Sequence, residues 1–247
     1  MRLQIFPASL QGSPFMPAPF FYIAQFDPSK KVISLDEDTS KHIARVLRMQ
    51  EGEKINITDG KGNLVTCAVL ETHKKHCKAE VKETAIRKPA TPDITVAISL
   101  LKNTNRFEWF LEKATEIGVS EIIPLICVRT EKEKFRFERL NAICISAMLQ
   151  SQQCRLPVLH EPLLFNKAIT AIQCDQKFIA HCAEGKKKQL GQRSVNGSAA
   201  ILIGPEGDFT EREIQLALEN NFIPVSLGET RLRTETAGVV AAIKLMN

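Results

Sequence analysis

Residues 201–210 read ILIGPEGDFT and decide how the second half of the chain is interpreted. The apolar start of this stretch predicts a buried strand, and Thr210 is a typical N-cap for a helix that follows. Gly204 and Gly207 allow a ligand to approach the backbone closely, and Pro205 stiffens the turn. Because ligands bind at the carboxyl ends of strands in open α/β sheets, the turn is either a binding loop or an ordinary connection. No Gly-Lys-Ser/Thr follows, so it is not a P-loop.

Apolar strands and amphipathic helices alternate on both sides of this turn, which favours a mainly parallel α/β sheet covered on both faces. The predicted strands are ITVAISLL, EIIPLICV, KFIAHCA, AAILI and IPVSLG. The predicted helices are RFEWFLEKATEIG, FERLNAICISAMLQSQQ, TEREIQLALENN and TETAGVVAAIKLMN.

The first third of the chain has a different pattern. Residues 1–15 contain two prolines and a glycine before Met16, which predicts an N-terminal extension and leaves the start codon open between Met1 and Met16. Short alternating segments with turn residues between them then predict a small β-barrel over residues 16–87. A proline-containing linker places the boundary near residue 88, so that residues 88–247 form the second domain.

One helix interrupts the predicted barrel. Asp38, Thr39 or Ser40 is expected to cap it, and the apolar residues of HIARVLR (42–48) recur at helical spacing. His42 recurs at the same spacing, and the segment presents Lys41, Arg45 and Arg48 beside its apolar face.

Composition limits the class of protein. The chain has 247 residues, 44% of them hydrophobic, and a net charge of +5, which is compatible with a polyanionic partner but common among enzymes. Its seven scattered cysteines lack the spacing of zinc or disulfide frameworks, so we expect reduced thiols and no metal site. No apolar run reaches the roughly 20 residues that a membrane span needs, and no signal core opens the chain, so we expect a cytoplasmic protein.

A second charged loop reads LGETRLRTETA at residues 227–237. Long charged loops between rigid elements are often functional, but this one also fits a solvated connector in which Thr234 caps the last helix. The loop alone favours the connector.

Taken together, these segments resemble the ribosomal RNA small subunit methyltransferase E family of the SPOUT superfamily. The resemblance rests on HIARVLR (42–48), DGKG (59–62), RFEWFLEKATEIGV (106–119), Gln150-Ser151 with Arg155, LIGPEGDFT (202–210) and LGETRLRTETA (227–237). Asp208 stands where the family commonly has a second glycine, and Gln152-Gln153-Cys154 replaces a Gly-Arg-containing stretch. These departures affect the expected substrate contacts.

The resemblance implies a PUA-like barrel followed by a SPOUT domain with a C-terminal deep trefoil knot. The knot segments 179–184, 203–207 and 226–237 would form a pocket for S-adenosyl-L-methionine. The residues expected to bind the cofactor are Ala180, His181, Ile203, Gly204, Pro205, Gly207, Ser226, Leu227, Gly228, Leu232, Thr234, Thr236 and Ala237. A lone histidine at a strand end, such as His181, is more often structural than catalytic.

The implied reaction is methylation of a uridine at N3 in small-subunit (16S) ribosomal RNA, either free or within the 30S subunit. Its expected catalytic residues are Glu206, Arg233 and Glu235, although either glutamate is equally expected in an ion pair with an arginine. The residues expected to contact RNA are His42, Arg45, Arg48, Arg155 and Arg231, with Lys74, Lys75 and Lys78 as further candidates. Resemblance also implies a homodimer through residues 148–151 and the last helix.

Three alternatives remain. A related SPOUT enzyme would methylate a ribose 2'-hydroxyl or a transfer RNA. A non-catalytic RNA-binding protein of ribosome assembly would use only the barrel. A nucleotide-binding oxidoreductase is disfavoured, because no Gly-x-Gly-x-x-Gly follows the first strand of the second domain.

Overall fold

The computed structural model describes residues 18–27, 29–89, 92–131, 134–191, 195 and 197–246. The predicted N-terminal extension, residues 1–15, and the alternative start at Met16 lie outside these ranges.

The first five strands form one sheet in the order β1-β3-β4-β5-β2. Their bounds are β1 Phe20–Tyr22, β2 Val32–Ser34, β3 Lys54–Thr58, β4 Asn63–Glu71 and β5 Lys78–Ile86. β1 runs parallel to β3, and the other pairs are antiparallel. Alternate residues of β4, among them Val65, Cys67 and Val69, point into one apolar core because side chains alternate along a strand.

The helix predicted inside this domain is present, but its cap is not one of the predicted residues. Helix α1 spans Glu37–Lys41 and continues as a π-helical segment, His42–Leu47. Asp36 caps it, since its carboxylate accepts a hydrogen bond of 2.8 Å from the Thr39 backbone N–H. The expectation that Asp38, Thr39 or Ser40 would serve was therefore wrong.

The remaining strands form an eight-stranded parallel sheet. Their bounds are β6 Asp93–Ser99, β7 Glu121–Ile126, β8 Val158–Leu159, β9 Leu163–Leu164, β10 Gln176–Ala180, β11 Lys188–Gln189, β12 Ser198–Ile203 and β13 Ile223–Ser226. The order is β11-β13-β10-β12-β6-β7-β8, with β9 paired to β7. The predicted parallel sheet is thus confirmed, whereas β8, β9 and β11 are too short to show a sequence pattern.

Helices cover both faces of this sheet, as predicted. Their bounds are α2 Thr104–Ile117, α3 Phe137–Gln150, α4 Phe165–Ala171, α5 Glu211–Glu219 and α6 Thr234–Met246. One apolar core includes residues of α2, α3 and α6, and the other includes residues of α4 and α5. The mixed α/β architecture, with a five-stranded N-terminal sheet ahead of a parallel sheet covered by helices on both faces, is therefore confirmed.

Small residues bring α6 close to its neighbours. A methyl group added at Gly238 would lie 2.6 Å from Cε2 of Phe110 on α2 and 3.0 Å from Cδ1 of Ile98 on β6. Only a residue without a side chain allows this approach. Gly238 therefore sets the position of α6 and of the loop that precedes it.

The turn between β3 and β4 joins the two sheets. The Gly62 backbone N–H donates to the Cys154 carbonyl at 2.8 Å, and the Leu156 N–H donates to the Gly60 carbonyl at 2.8 Å. Gly62 has a φ of 104°, and an added Cβ would lie 2.6 Å from the Arg155 guanidinium. Glycine at this position therefore permits the contact between the two parts of the chain.

Candidate functional site

A cavity of about 600 Å³ lies at the carboxyl ends of β13, β10 and β12. These three strands are neighbours in the sheet and run parallel, so the loops that follow them meet at one edge. Ligands bind at such edges in open α/β sheets. We call this space the strand-end cavity; the ILIGPEGDFT turn and the LGETRLRTETA loop, distant in sequence, both line it.

The loop after β12 is held in shape by its own residues. Asp208 has a φ of 64°, a left-handed conformation that aspartate tolerates better than most residues. Its carboxylate accepts hydrogen bonds of 2.8 Å from the backbone N–H groups of Cys182 and Phe209. The departure from glycine at this position is thus structurally explained, because aspartate ties the β12 loop to the end of β10.

The loop after β10 contributes a histidine and an exposed thiol. Burial, followed by the nearby Lys187 ammonium, lowers the pKa of His181, and Asp208 opposes this shift. His181 Nδ1 is buried and has no hydrogen-bond partner among the described residues. Cys182 also lines the cavity and is exposed. The His181 side chain therefore lines the cavity while its Nδ1 is shielded from solvent.

The loop after β13 forms the opposite wall. Ser226 Oγ donates to the Gly228 carbonyl at 2.9 Å, which closes a tight turn. Gly228 has a φ of 157°, and no atom lies within 4 Å of where its Cβ would be. Leu227 and Leu232 add apolar surface to this polar turn. The wall therefore offers backbone hydrogen-bonding groups beside apolar side chains, the usual lining of a small-molecule pocket.

Arg106 enters the cavity from α2 and is held there by Glu235. Its Nε lies 3.7 Å from Oε1 of Glu235, whose side chain is only 8% exposed. Oε2 of Glu235 is buried without a hydrogen-bond partner in the described part of the chain. From the sequence, Arg106 was identified only as part of the RFEWFLEKATEIGV motif. A contact between two helices that are far apart in the chain, such as α2 and α6, leaves no local pattern in the sequence.

The predicted catalytic residues fall into two groups. Glu206 and Arg233 are exposed and line the cavity, and Glu206 Oε1 accepts a hydrogen bond of 3.2 Å from the Lys102 backbone N–H. Glu235 does not line the cavity, and its carboxylate faces Arg106. Of the two readings given for Glu235, the geometry favours the ion pair over the proton acceptor.

Most residues expected to bind the cofactor line the cavity. They are Ala180, His181, Ile203, Gly204, Pro205, Ser226, Leu227, Gly228, Leu232, Thr234 and Ala237. The two that do not line it are Gly207 and Thr236. Gly207 instead packs against Arg129, whose Nη1 donates to the Gly207 carbonyl at 2.7 Å. This glycine supports the loop from behind.

The residues expected to contact RNA are dispersed. His42 and Arg45 are exposed on the π-helical segment, Arg48 is exposed directly after it, and Arg231 is exposed at the cavity rim. Arg155 is engaged elsewhere, since its Nε and Nη2 donate to the Arg87 carbonyl at 3.1 and 2.9 Å. Its observed contacts join the two parts of the chain.

A basic surface lies beside the exposed residues of the π-helical segment. Arg48 and Lys74 line the same shallow depression as His73, and Lys75 is also exposed. Lys78 instead pairs with Glu71 at 2.9 Å. We call Arg45, Arg48, Lys74 and Lys75 the basic surface.

The second departure from the family pattern has a structural role. Gln153 Nε2 donates to the Thr115 and Glu116 carbonyls at 3.0 and 2.9 Å. These carbonyls lie at the C-terminus of α2, where helical partners run out. Gln153 therefore caps α2.

Over the described ranges, no helix is long and apolar enough to cross a bilayer. Within those same ranges, no three His, Cys, Asp or Glu side chains are grouped so as to hold a metal ion.

The two parts of the chain each match a known protein family. Residues 88–246 match the model of the RNA methyltransferase domain, and residues 35–82 match that of the RNA methyltransferase PUA domain. The chain is 30% identical over 223 residues to ribosomal RNA small subunit methyltransferase E of Aquifex aeolicus, covering 87% of this chain and 94% of the relative. It is 28% identical over 242 residues to the protein of the same name from Synechocystis sp., covering 95% of this chain and 79% of the relative.

Two solved structures share the fold over nearly the whole chain. A probable rRNA-methyltransferase from Porphyromonas gingivalis is 37% identical, with a TM-score of 0.83 over 91% of this chain and 95% of that one. A ribosomal RNA small subunit methyltransferase E from Neisseria gonorrhoeae, solved bound to S-adenosyl methionine, is 29% identical, with a TM-score of 0.83 over 92% of this chain and 96% of that one.

Proposed function

Because the chain belongs to the ribosomal RNA small subunit methyltransferase E family, we propose that it transfers a methyl group from S-adenosyl-L-methionine to N3 of a uridine in 16S ribosomal RNA. The observation that carries the proposal is the strand-end cavity. It is lined by the loops that follow three parallel strands, and the family resemblance assigns these loops to cofactor binding.

The residues of the cavity fit the cofactor. The volume of about 600 Å³ lies within the range of about 300 to 1,000 Å³ typical of small-molecule sites. Backbone groups around Gly204 and Gly228 are available to the adenine and ribose, and Leu227 and Leu232 provide an apolar wall. When bound, S-adenosylmethionine supplies an electrophilic methyl group on its sulfonium.

The protein's own part of the reaction is to orient the base and handle one proton. Loss of the proton from uracil N3 spreads negative charge onto the flanking carbonyl oxygens, which cationic donors stabilise. In our proposal Arg106 is the donor within the cavity, and Glu235 fixes its position through the 3.7 Å ion pair. Arg233 is a second donor at the rim.

Glu206 is the proposed proton acceptor. It lines the cavity, is exposed, and is held at the rim by the Lys102 backbone N–H. A proton acceptor must reach the base and return its proton to water, and a carboxylate at the rim meets both needs. Glu235 meets neither, because it is buried outside the cavity lining.

The RNA must present the target base unpaired, since N3 lies on the edge used in base pairing. We assign backbone contacts to the basic surface of the N-terminal domain and to Arg231 at the rim, whose charges are exposed. Arg155 acts indirectly, by joining the turn of the N-terminal domain to the second sheet.

A homodimer and the trefoil knot complete the proposal. The knot is assigned to residues 179–184, 203–207 and 226–237, which meet at the cavity. The dimer contact is assigned to α6, which is apolar on nearly all sides and leaves Val239 and Val240 only half-buried. In the other predicted segment, residues 148–151, Met148 is fully buried within its own chain and does not contribute.

Methyl transfer followed by nucleoside analysis tests the function. The full chain is incubated with labelled S-adenosylmethionine and either 16S ribosomal RNA or 30S subunits, and the RNA is digested to nucleosides. We expect 3-methyluridine. A 2'-O-methylated nucleoside would refute the N3 assignment, and no transfer by a folded chain that binds RNA would favour the non-catalytic alternative.

Two variants test the residues at the rim. Glu206→Ala and Arg233→Ala are expected to lower the methylation rate more than the melting temperature, because both side chains are exposed. Lys167→Ala on α4 is the matched control, as Lys167 is exposed and does not line the cavity. Normal turnover by both rim variants would contradict their roles.

A further inference from the structure

A second cavity, of about 280 Å³, lies beside the strand-end cavity. It is bounded by the end of β6, the first turns of α2 and the residues that lead into α3. Asn105 lines this second cavity, and its neighbour Arg106 lines the first. The two cavities are therefore separated by a single turn of α2, and we call the second one the α2–α3 cleft.

The rim of the α2–α3 cleft is positively charged. Lys134, Arg136 and Arg139 line it, with Glu108 as the one acidic residue among the described lining. Glu108 is neutralised by Arg139, whose Nε and Nη2 bind its two carboxylate oxygens at 2.7 and 3.0 Å. The same contact lowers the pKa of Glu108.

The other two cations are available to a ligand. Both Lys134 and Arg136 are exposed, and neither forms an ion pair with any carboxylate that the structure describes. Arg136 also precedes the first residue of α3 and gives that helix no side-chain cap, so the positive end of the α3 dipole lies next to Arg136. The charge at this rim is thus not balanced within the described part of the protein.

Part of the floor of the cleft is apolar. Leu100, Leu101 and Leu140 line it and are buried in the core. An apolar floor below a cationic rim matches a nucleotide, which has a flat base, a ribose and an anionic phosphate. A free inorganic anion would need the rim but not the floor.

We propose that the α2–α3 cleft binds the nucleotide next to the target uridine, with its phosphate at Lys134 and Arg136 and its base or ribose against the leucine floor. The proposal rests on the proposed function, since it places RNA at the neighbouring strand-end cavity. Extruding one base requires the backbone beside it to be held, and this cleft is one helical turn away.

Salt-dependent RNA binding tests the cleft. Each phosphate contact that is lost lowers the slope of log Kd against log salt concentration by about 0.7 to 0.9. For the double variant Lys134→Glu with Arg136→Glu, we expect binding of a 16S ribosomal RNA transcript to be at least tenfold weaker. We also expect the slope, measured between about 50 and 200 mM salt, to fall by the amount that corresponds to one or two lost phosphate contacts. Arg136→Lys is expected to keep most of the affinity, because it retains the charge.

Controls separate this proposal from general effects. Lys167→Glu reverses one exposed charge elsewhere, as each substitution of the double variant does, and is expected to leave both Kd and slope near the wild-type values. The Kd for S-adenosylmethionine is expected to be unchanged in every variant. A double variant that binds the transcript like Lys167→Glu would overturn the cleft proposal even if wild-type methylation proceeds. If the wild-type chain transfers no methyl group while the double variant loses affinity and slope as expected, the proposed function is refuted and RNA binding by the cleft is still supported.

Discussion

Replacing Glu235 by glutamine keeps the size of the buried side chain and removes the charge that faces Arg106. Two opposing energies then change. Two unit charges 3.7 Å apart attract by about 4.5 kcal/mol at an effective dielectric of about 20. Because the Arg106 side chain is 39% exposed, solvent screening reduces the attraction to about 1 to 2 kcal/mol.

The opposing energy is the cost of burying an unsatisfied carboxylate oxygen. Oε2 of Glu235 has no partner among the described residues, and such an atom costs about 1 to 3 kcal/mol. Removing the charge relieves part of this cost, so the free energy of unfolding is expected to change by less than about 1 kcal/mol. Turnover responds differently, since Arg106 loses the group that fixes its position in the cavity. A loss of about 1 to 2 kcal/mol of transition-state stabilisation lowers the rate about 5- to 30-fold.

The assay combines three measurements on Glu235→Gln and Arg106→Met. Single-turnover methylation gives the rate, calorimetry gives the Kd for S-adenosylmethionine, and urea denaturation gives the stability. Arg106→Met is expected to lose about 100- to 1,000-fold in rate, as when a charge-stabilising donor is removed. The acidic limb of the pH–rate profile is expected to persist in Glu235→Gln. If that limb disappeared, Glu235 would be the proton acceptor. If Arg106→Met retained full activity, the positioning argument would be refuted.

Three further predictions follow from particular contacts. Gly238→Ala places a methyl group 2.6 Å from Phe110 and is expected to lower the free energy of unfolding by about 1 to 2 kcal/mol in urea titrations, since overpacking outweighs the gain in helix propensity; equal stability would contradict the packing. N-ethylmaleimide is expected to label Cys182 first in the native chain, because Cys182 is exposed whereas burial raises the pKa of the Cys127 thiol to about 12. Since Cys182 lines the cavity, S-adenosylmethionine is expected to slow this labelling, as followed by mass spectrometry. An unchanged labelling rate would place the cofactor elsewhere. Burial lowers the pKa of His181 in the folded chain, so the unfolded state takes up a proton first as the pH falls. The free energy of unfolding is therefore expected to decrease below about pH 6.5, and His181→Gln is expected to reduce this pH dependence in urea titrations at successive pH values. An equal pH dependence in the variant would contradict this assignment.

The sequence predicted the fold where the pattern is local. Apolar runs that end in glycine turns identified β10, β12 and β13, and because parallel strands end at one edge, their loops meet there. The parallel sheet, the PUA-like domain and the family were all confirmed. The domain boundaries, the knot and the role of each site residue stay predictions.

Contacts between distant elements were not predictable in the same way. Arg106 meets Glu235 across the contact between α2 and α6, and Gly238, far along the chain, lets these two helices pack closely because it has no side chain. The sequence predicted that Arg155 contacts RNA. In the structure, its guanidinium donates hydrogen bonds to the Arg87 carbonyl instead. Trp109 on α2 is 43% exposed in the single chain, and a helical pattern does not show where a neighbour is lacking.

Calorimetric titration of the full chain with S-adenosylmethionine tests the central claim most directly, because the whole account places this cofactor in the strand-end cavity. We expect saturable binding of one molecule per chain, similar binding of the demethylated product, and no binding of adenosine triphosphate as a control. Absence of binding to a folded chain, with and without 16S ribosomal RNA, would contradict the account.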